Sequence, residues 1–180
     1  MNLIVAVDRN WGIGRQDQLL FRISDDMKRF RSLTLGKVVI LGRRTLQAFP
    51  GCRPLEKRMN IVLTRRACYA AEPAIICHSL EELGTQVRDM PDDDLFVIGG
   101  ATVYRQLLPF CKYAYVTKID SLGEADCFFP DLDADPEWEL VSCESGHSDH
   151  ARADGMDEPI SLDYSFCLYR QASPRVLADA

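Results

Sequence analysis

Two adjacent glycines, Gly99 and Gly100, follow the apolar run 95–98, and a helical pattern begins directly after them. A short apolar run of this kind is typical of a strand that is buried on both faces. Glycine lets the backbone approach a ligand closely, because no side chain intervenes. The free N–H groups and the positive dipole end of the following helix would point at this turn. The pattern predicts an anion-binding turn, most often for phosphate, with plain packing of strand against helix as the alternative.

Two pairs of arginines follow two other strand-like runs. Arg43 and Arg44 come after the run 37–41 and open a helix, whereas Arg65 and Arg66 come after the next run. The planar guanidinium group can bind two phosphate oxygens at once. If the two strands are neighbours, the four arginines meet at one rim of the sheet and form a second phosphate-binding group. The alternative is an ordinary solvated surface.

Asp26 is the candidate catalytic acid. It lies in the first turn of a helix that Ser24 is predicted to cap, and Asp25 is expected to point away from it towards Arg29. Asp26 borders the apolar stripe that this helix is expected to turn inward, namely Ile23, Met27, Phe30 and Leu33 or Thr34. One interpretation is a partly buried carboxylate whose pKa is open to large shifts. The alternative is an acid that only compensates the helix dipole.

Two further groups carry weaker signals. Arg53 and Arg58 flank the segment 54–55, which suits a ligand that has an aromatic body and a carboxylate tail. The polar stretch 147–150 contains two histidines and an aspartate, but its spacing offers too few ligands for a metal. We predict an exposed turn there and no metal site.

Composition narrows the class of protein. The 180 residues are 47% apolar and 27% charged, as in ordinary globular proteins, and no apolar run approaches the roughly 20 residues that span a bilayer. Residues 1–66 carry 14 Lys and Arg against 5 Asp and Glu, whereas residues 67–180 carry 7 against 22. The basic residues occur singly or in pairs, which suits a small multi-anionic ligand better than nucleic acid. The 7 widely spaced cysteines predict reduced, buried thiols in a cytoplasmic protein rather than disulfides or a zinc site.

The order of elements predicts an α/β fold. Strands are expected at Leu3–Asp8, Lys37–Leu41, Asn60–Thr64, Ala74–Cys77, 95–98 and Tyr113–Ile119, with a closing hairpin of Glu137–Cys143 and Leu162–Tyr169. Helices are expected from Ser24 to about Leu35, after Gly42, at the capping box Ser79–Glu82, and after Gly100. Arg9–Arg22 is predicted to be a long loop. We therefore expect three layers, with a mainly parallel central sheet, an antiparallel C-terminal hairpin and about four flanking helices. Residues 1–170 would form one domain, and 171–180 a flexible tail.

Taken together, these residues resemble dihydrofolate reductases of the bacterial chromosomal type. The likeness is collinear over about residues 3–170. The matching segments are Ala6-Val7-Asp8-Arg9, Gly12-Ile13-Gly14, Asp26, Gly42-Arg43-Arg44-Thr45, Arg53-Pro54-Leu55 with Arg58, Leu63-Thr64-Arg65, Val97-Ile98-Gly99-Gly100-Ala101, Val103-Tyr104, Tyr115-Val116-Thr117, Ile119-Asp120, Phe128-Phe129-Pro130 and Tyr164-Ser165-Phe166.

The resemblance implies reduction of 7,8-dihydrofolate to tetrahydrofolate with NADPH, by a monomer that also binds antifolate inhibitors. The implied cofactor-binding residues are Ala6, Ile13, Gly14, Gly42, Arg43, Arg44, Thr45, Leu63, Thr64, Arg65, Gly99, Gly100, Ala101, Thr102, Val103 and Tyr104. Within that set, the Gly99–Gly100 peptide, which is cis in this family, would hold the pyrophosphate. Arg43, Arg44 and Thr45 would hold the pyrophosphate and the 2′-phosphate.

The resemblance also implies the residues around the pterin. The implied catalytic residues are Asp26, Thr117 and Phe21, with Thr117 bonded to the far side of the Asp26 carboxylate. The implied substrate-binding residues are Ile4, Val5, Ala6, Met27, Phe30, Phe49, Leu55, Arg58 and Ile98. Within that set, Arg58 would pair with the glutamate carboxylate of the substrate, and the carbonyls of Ile4 and Ile98 would meet the pterin amino group.

One segment departs from the family pattern. The loop that normally ends in Leu-Pro-Trp here ends in Leu19-Leu20-Phe21, so a proline and an indole N–H are missing. Looser loop closure and a lower affinity for diaminopyrimidine inhibitors are expected. Two alternatives stay open: the pyrimidine reductase of riboflavin synthesis, and a non-catalytic pterin- or nucleotide-binding protein.

Overall fold

The structure, a computed structural model, describes residues 1–177. Its strands are β1 (Asn2–Val7), β2 (Gly12–Arg15), β3 (Gln18–Leu19), β4 (Phe21–Arg22), β5 (Val38–Gly42), β6 (Met59–Leu63), β7 (Ile75–Cys77), β8 (Leu95–Gly99), β9 (Tyr113–Ile119), β10 (Cys127–Phe128), β11 (Trp138–Ala153) and β12 (Ile160–Gln171). The α-helices in this range are α1 (Ser24–Thr34), α2 (Arg43–Gln47), α3 (Leu80–Val87) and α4 (Ala101–Leu107). Short 3₁₀ turns lie at Pro50–Cys52, Asp92–Asp94 and Leu108–Phe110.

The chain forms two compact units. Unit 1 comprises Met1–Leu3, Thr34–Lys112 and residues 173–177, and unit 2 comprises Ile4–Leu33 and Tyr113–Ala172. Strand β1 begins in unit 1 and ends in unit 2. No helix within residues 1–177 has the length and apolar character needed to cross a membrane.

Unit 1 contains parallel strands in the order β1-β8-β5-β6-β7. Its strands are runs of β-branched and other apolar residues, which suits burial on both faces. A cluster of Val39, Leu41, Leu46 and Val62 is fully buried at its centre. Helix α3 begins as predicted, since the hydroxyl of Ser79 accepts from the backbone N–H of Glu82 at 3.1 Å.

The strand pairs β4–β11, β11–β12 and β12–β9 of unit 2 are antiparallel. Its order is β4-β11-β12-β9, with β1 next to β9, and a separate small sheet has the order β10-β2-β3. A buried cluster fills its interior and includes Leu20, Phe21, Ile23, Ile119, Ala151, Leu162 and Tyr164. The α/β prediction, with parallel strands and a C-terminal antiparallel hairpin, is confirmed.

Two predicted elements differ from the structure. The stretch Arg9–Arg22 is not a plain loop, because β2, β3 and β4 lie within it. The hairpin strands are longer than predicted, because polar residues such as His147 alternate along the exposed part of β11 and hide the pattern. The polar stretch 147–150 is therefore strand rather than turn.

The cysteine prediction is wrong for one pair. Cys143 and Cys167 lie directly opposite each other in β11 and β12 and form a disulfide. Side chains in such opposed positions are close enough to be bridged, and only the hairpin register reveals it. The other five cysteines form no disulfide, and Cys52 and Cys68 are exposed rather than buried.

Strand β12 and backbone hydrogen bonds continue past residue 170, where the predicted domain ends. Gln171 ends β12 and is buried. Ala172 donates its N–H to the carbonyl of Glu137 at 2.9 Å, and Arg175 donates to the carbonyl of Pro109 at 2.8 Å. Of the predicted tail, residues 178–180 lie outside the described range.

Candidate active site

The carboxyl ends of three neighbouring parallel strands collect the predicted phosphate-binding groups in unit 1. Strand β5 pairs with both β8 and β6, with Leu41 opposite Gly99 and Gly42 opposite Leu63. The two arginine pairs therefore follow neighbouring strands, which is the condition for the second phosphate-binding group. The segments that leave this edge are Gly99–Val103, Gly42–Thr45 and Leu63–Arg66.

The glycines at this edge leave little room for side chains. Gly99 has a φ of +106°, and an added β-carbon would lie 2.8 Å from the ring of Tyr104. A β-carbon on Gly100 would lie 3.1 Å from the Thr45 hydroxyl oxygen, and the peptide between the two glycines is cis, as the resemblance implies. The backbone of this turn therefore carries no side chain, and Tyr104 and Thr45 pack closely against it.

Two helices begin at the same edge. Gly42 is the N-cap of α2 and Gly100 is the N-cap of α4, and neither makes a side-chain capping bond. A helix start without a side-chain acceptor leaves its first N–H groups available to an anion. Arg44 is exposed here, and Arg43 is half-buried and donates to the side-chain oxygen of Gln47 at 2.6 Å.

The position of Thr64 is fixed from several sides. Its N–H donates to the carbonyl of Cys77 at 3.0 Å, and its hydroxyl accepts from the N–H of Arg66 at 3.2 Å. The Nδ1 atom of His78 lies 2.8 Å from the Thr64 carbonyl oxygen. The exposed arginines Arg65 and Arg66 thus extend from a well-fixed strand end.

The predicted substrate-binding residues of unit 1 lie around its core. Phe49, Leu55 and Ile98 are half-buried and pack against the buried cluster of β5 and β6. Arg58 donates from Nε to the hydroxyl of Thr34 at 2.9 Å and from Nη1 to the carbonyl of Glu56 at 2.8 Å. These bonds fix the direction in which the guanidinium points.

Asn60 is a structural residue of this site that sequence reasoning missed. Its buried side chain accepts from the N–H of Leu55 and donates to the carbonyl of Leu55, both at 2.9 Å. The amide therefore pins the segment that carries Leu55 and Arg58. An asparagine at the start of an apolar strand was the only signal in the sequence.

In unit 2, α1 and β9 bring Asp26 and Thr117 together. The hydroxyl of the fully buried Thr117 donates to a carboxylate oxygen of Asp26 at 2.6 Å. Burial raises the pKa of Asp26 above its ordinary value, while the Thr117 hydrogen bond and the charge of Arg29 oppose that rise. Of the two interpretations of Asp26, the partly buried carboxylate therefore fits the structure.

The neighbours of Asp26 on α1 correct two predictions. Asp25 does not face Arg29, since its carboxylate pairs with Lys28 at 2.9 Å and accepts from the Tyr164 hydroxyl at 3.0 Å. The Lys28 hydrogen bond is the main cause that lowers the pKa of Asp25. Met27 is 48% exposed, so the inward stripe is narrower than expected.

The segment before α1 is pinned by Asp8, another residue that sequence reasoning did not single out. Its buried carboxylate accepts from the N–H groups of Asn10 at 2.9 Å, Gly12 at 2.7 Å and Gly123 at 3.0 Å. Next to it lies a small cavity, which is lined by Ala6, Val7, Asp8, Gly12, Ile13, Leu19, Leu20, Phe21 and Ile119. Three of the predicted site residues thus line one cavity: Ala6, Ile13 and Phe21.

The remaining predicted residues of unit 2 lie on β1, β2 and α1. Ile4 and Val5 are buried in β1, and Phe30 is half-buried on α1. Gly14 accepts at its carbonyl from the N–H of Asp126 at 3.1 Å. Among residues 1–177, no group of three or more histidines, cysteines or acidic residues could hold a metal ion.

The unusual loop end is anchored in unit 2. Leu20 and Phe21 are buried, and Phe21 pairs with Ala153 across β4 and β11. The Leu20 carbonyl accepts from the N–H of Asp154 at 2.8 Å. Strand pairing and burial hold the segment where the family pattern has a proline.

Comparison with known families decides the classification. The family model described as dihydrofolate reductase matches residues 1–162. The chain belongs to the dihydrofolate reductase family. Its class is therefore that of an oxidoreductase that acts on dihydrofolate, and the family resemblance seen in the sequence is confirmed.

Individual dihydrofolate reductases agree with this membership. The chain is 34% identical over 171 residues to the enzyme of Staphylococcus haemolyticus and 33% identical over 171 residues to that of Bacillus subtilis. The first match covers 95% of both chains, and the second covers 95% of this chain and 94% of the relative. A solved structure of dihydrofolate reductase from Enterococcus faecalis, complexed with NADP(H) and RAB-propyl, has a TM-score of 0.78 at 30% identity and covers 96% of each chain.

Proposed function

We propose that this member of the family reduces 7,8-dihydrofolate to tetrahydrofolate with NADPH, and that Asp26 is its catalytic carboxylate. The observation that carries the proposal is the bond between Asp26 and the fully buried hydroxyl of Thr117. It fixes the carboxylate in a partly buried position where its protonation state responds strongly to a bound ligand.

The donors at the carboxyl edge of β8, β5 and β6 suit the phosphates of NADPH. Bare backbone at Gly99 and Gly100 and two uncapped helix starts would hold the pyrophosphate. Arg43, Arg44 and Thr45 would bind phosphate oxygens, and Thr64 and Arg65 would lie on the other side of the adenine. A dianionic 2′-phosphate beside arginines is the physical reason for a preference for NADPH over NADH. When bound, NADPH supplies a hydride for the pterin.

The pterin would be bound through Asp26. The carboxylate accepts hydrogen bonds from the pterin N3 and the 2-amino group, and Thr117 holds the carboxylate in place. The carbonyls of Ile4 and Ile98 would accept from pterin amino groups. Asp26 raises the proton affinity of the bound ring, and water delivers the proton to N5. Phe21 has no polar group and would act by excluding water.

The rest of the substrate would use apolar residues and one cation. Apolar side chains would contact the pterin and aminobenzoyl rings, namely Val5, Ala6, Met27, Phe30, Phe49 and Leu55. Arg58 would pair with the glutamate carboxylate, because Thr34 and the Glu56 carbonyl already orient its guanidinium. A carboxylate at Asp26 together with Arg58 favours a folate over the pyrimidine of riboflavin synthesis.

Ile13, Gly14, Gly42, Leu63, Ala101, Thr102, Val103 and Tyr104 complete the proposed cofactor set. We further propose that the protein is a cytoplasmic monomer. We also propose that residues 1–170 act as one domain, since the family match runs through segments of both units.

The test is the near-ultraviolet absorbance of NADPH after dihydrofolate is added. We expect a loss of absorbance that depends on dihydrofolate, with tetrahydrofolate as the product, and a much slower reaction with NADH. A binding protein without activity would leave the absorbance unchanged. A pyrimidine reductase would respond only to its own pyrimidine substrate.

A further inference from the structure

Arg29 is a cationic side chain that the reaction described above does not use. It lies on α1, half-buried, with its guanidinium carbon 4.4 Å from the centre of the Phe166 ring and 5.8 Å from that of Tyr115. Its Nη1 atom is buried and has no hydrogen-bond partner within the described residues. A guanidinium group in this position is poorly satisfied by hydrogen bonds, so the surrounding charges and ring faces must stabilise it.

The groups that face Arg29 come from several elements. On α1 it lies three residues after Asp26, a spacing that places two side chains on the same helix face. Burial lowers the pKa of Arg29, and the charge of Asp26 opposes that fall most, followed by Tyr115 on β9 and Glu144 on β11. The nearby Asp25 pairs with Lys28 and Tyr164 instead.

The strands that hold Thr117 against Asp26 also hold Arg29. Phe166 on β12 is the register partner of Thr117 on β9. The Phe166 ring covers the guanidinium of Arg29, while the hydroxyl of Thr117 donates to Asp26. The carboxylate therefore accepts from a neutral donor on β9, and its own helix places a cation three residues later on the same face. Burial alone would favour the protonated form of Asp26.

We propose that Arg29 is a positioning residue that keeps Asp26 in its carboxylate form in the ligand-free protein, with the Phe166 ring holding the guanidinium in place. This deepens the proposed function, because the bound pterin needs a carboxylate that accepts from N3 and the 2-amino group. The consequence for turnover rests on that function, whereas the ionisation of Asp26 does not. The charge of Arg29 lowers the pKa of Asp26, which is the direction that the proposal requires.

The experiment is a titration of Asp26 by carbon NMR of the carboxyl groups, in full-length protein labelled at aspartate and without ligands. Asp26→Asn assigns the signal. In Arg29→Gln we expect the titration midpoint to rise by about one pH unit, the size typical of a lost neighbouring cation. Arg29→Lys keeps the charge and should restore a midpoint close to that of wild type. A structural role alone would not distinguish glutamine from lysine in this way.

An unchanged midpoint in folded Arg29→Gln would overturn the proposal, and so would an equal shift in Arg29→Lys. If Arg29→Gln does not fold, Arg29→Met fills the same space without charge and is expected to show the same rise. In the turnover assay, the pH profile of the glutamine variant should move in the same direction as its titration. If wild-type protein does not reduce dihydrofolate, the proposed function fails while the titration still decides the role of Arg29.

Discussion

The two compact units present their polar groups in opposite ways. At the carboxyl edge of its parallel strands, unit 1 offers many donors together: bare glycine backbone, two helix starts and exposed arginines. In unit 2, helix α1 places one candidate acid, Asp26, against the buried hydroxyl of Thr117. A group of many donors tolerates the loss of one member, whereas a single acid does not. Binding should therefore decline gradually on mutation of unit 1, and chemistry should be lost abruptly on mutation of unit 2.

The largest stability effect is expected at the backbone of unit 1. Gly99→Ala places a β-carbon 2.8 Å from the ring of Tyr104 at a φ of +106°. Steric overlap and strain together should cost about 3 kcal/mol or more of unfolding free energy. The matched control is Gly100→Ala, where φ is −77° and the Thr45 hydroxyl can move aside. Urea unfolding measures both, and a loss in Gly99→Ala no larger than in Gly100→Ala would show that Gly99 is not the more constrained position.

The next largest stability effect is expected when the hydrogen bond from Thr117 to Asp26 is removed. Thr117→Val keeps the shape of a buried side chain but takes one hydrogen bond from the carboxylate. We expect a loss of about 2 kcal/mol of unfolding free energy at neutral pH. Thr117→Ser retains the hydroxyl and should lose much less. If the serine and valine variants are equally stable in urea, the hydroxyl does not support Asp26.

A single arginine of unit 1 should matter moderately. Arg44→Ala is expected to raise the KM for NADPH about tenfold, the value of one charge-assisted contact, while the KM for NADH changes little. Arg66→Ala removes a similar exposed charge outside the proposed cofactor set. Steady-state kinetics with both cofactors provide the comparison. Equal effects of the two substitutions would point to general electrostatic attraction rather than a phosphate contact.

The smallest effect concerns the stability cost of burying the proposed catalytic acid, Asp26. Burial raises the pKa of Asp26 in the folded protein above its unfolded value, so the folded state holds the proton more strongly. Stability is then highest below the unfolded pKa and falls as pH rises through the folded pKa. Asp26→Asn should therefore stabilise the protein at pH above this window, by about 1 kcal/mol, and much less in acid.

The control variant, Asp25→Asn, is expected to change stability in the opposite direction. The pKa of Asp25 is lowered by its bond to Lys28, so its contribution to stability is present above the unfolded pKa and is lost in acid. Asp25→Asn should lower stability at neutral pH. Thermal unfolding across pH measures both variants, and a stabilising Asp25→Asn would invalidate the argument from burial.

The parallel part of the fold could be predicted well from the sequence. Strands such as β5 and β8 are buried on both faces and appear as uninterrupted apolar runs. Outside the parallel part, strand β9 also has the predicted bounds, Tyr113–Ile119. The groups at strand ends, such as Gly99 and Arg43, follow directly once these strands are recognised.

The parts that depend on distant segments could not be predicted. The carboxylate of Asp8 accepts from Gly123, more than a hundred residues away, and nothing local marks that contact. The partner of Asp25 is decided by Tyr164 on β12, and the disulfide by the register of β11 and β12. Helix periodicity places a side chain on a face but does not say what covers that face, as the exposure of Met27 shows.

The central claim is tested most directly by turnover of Asp26→Asn at neutral pH, with saturating NADPH and dihydrofolate and Asp25→Asn measured in parallel. We expect kcat to fall by about a hundredfold or more in Asp26→Asn, with the Kd for NADPH nearly unchanged. Asp25→Asn should keep kcat within a few-fold of wild type. Wild-type turnover in Asp26→Asn would contradict the assignment of the chemistry to this carboxylate.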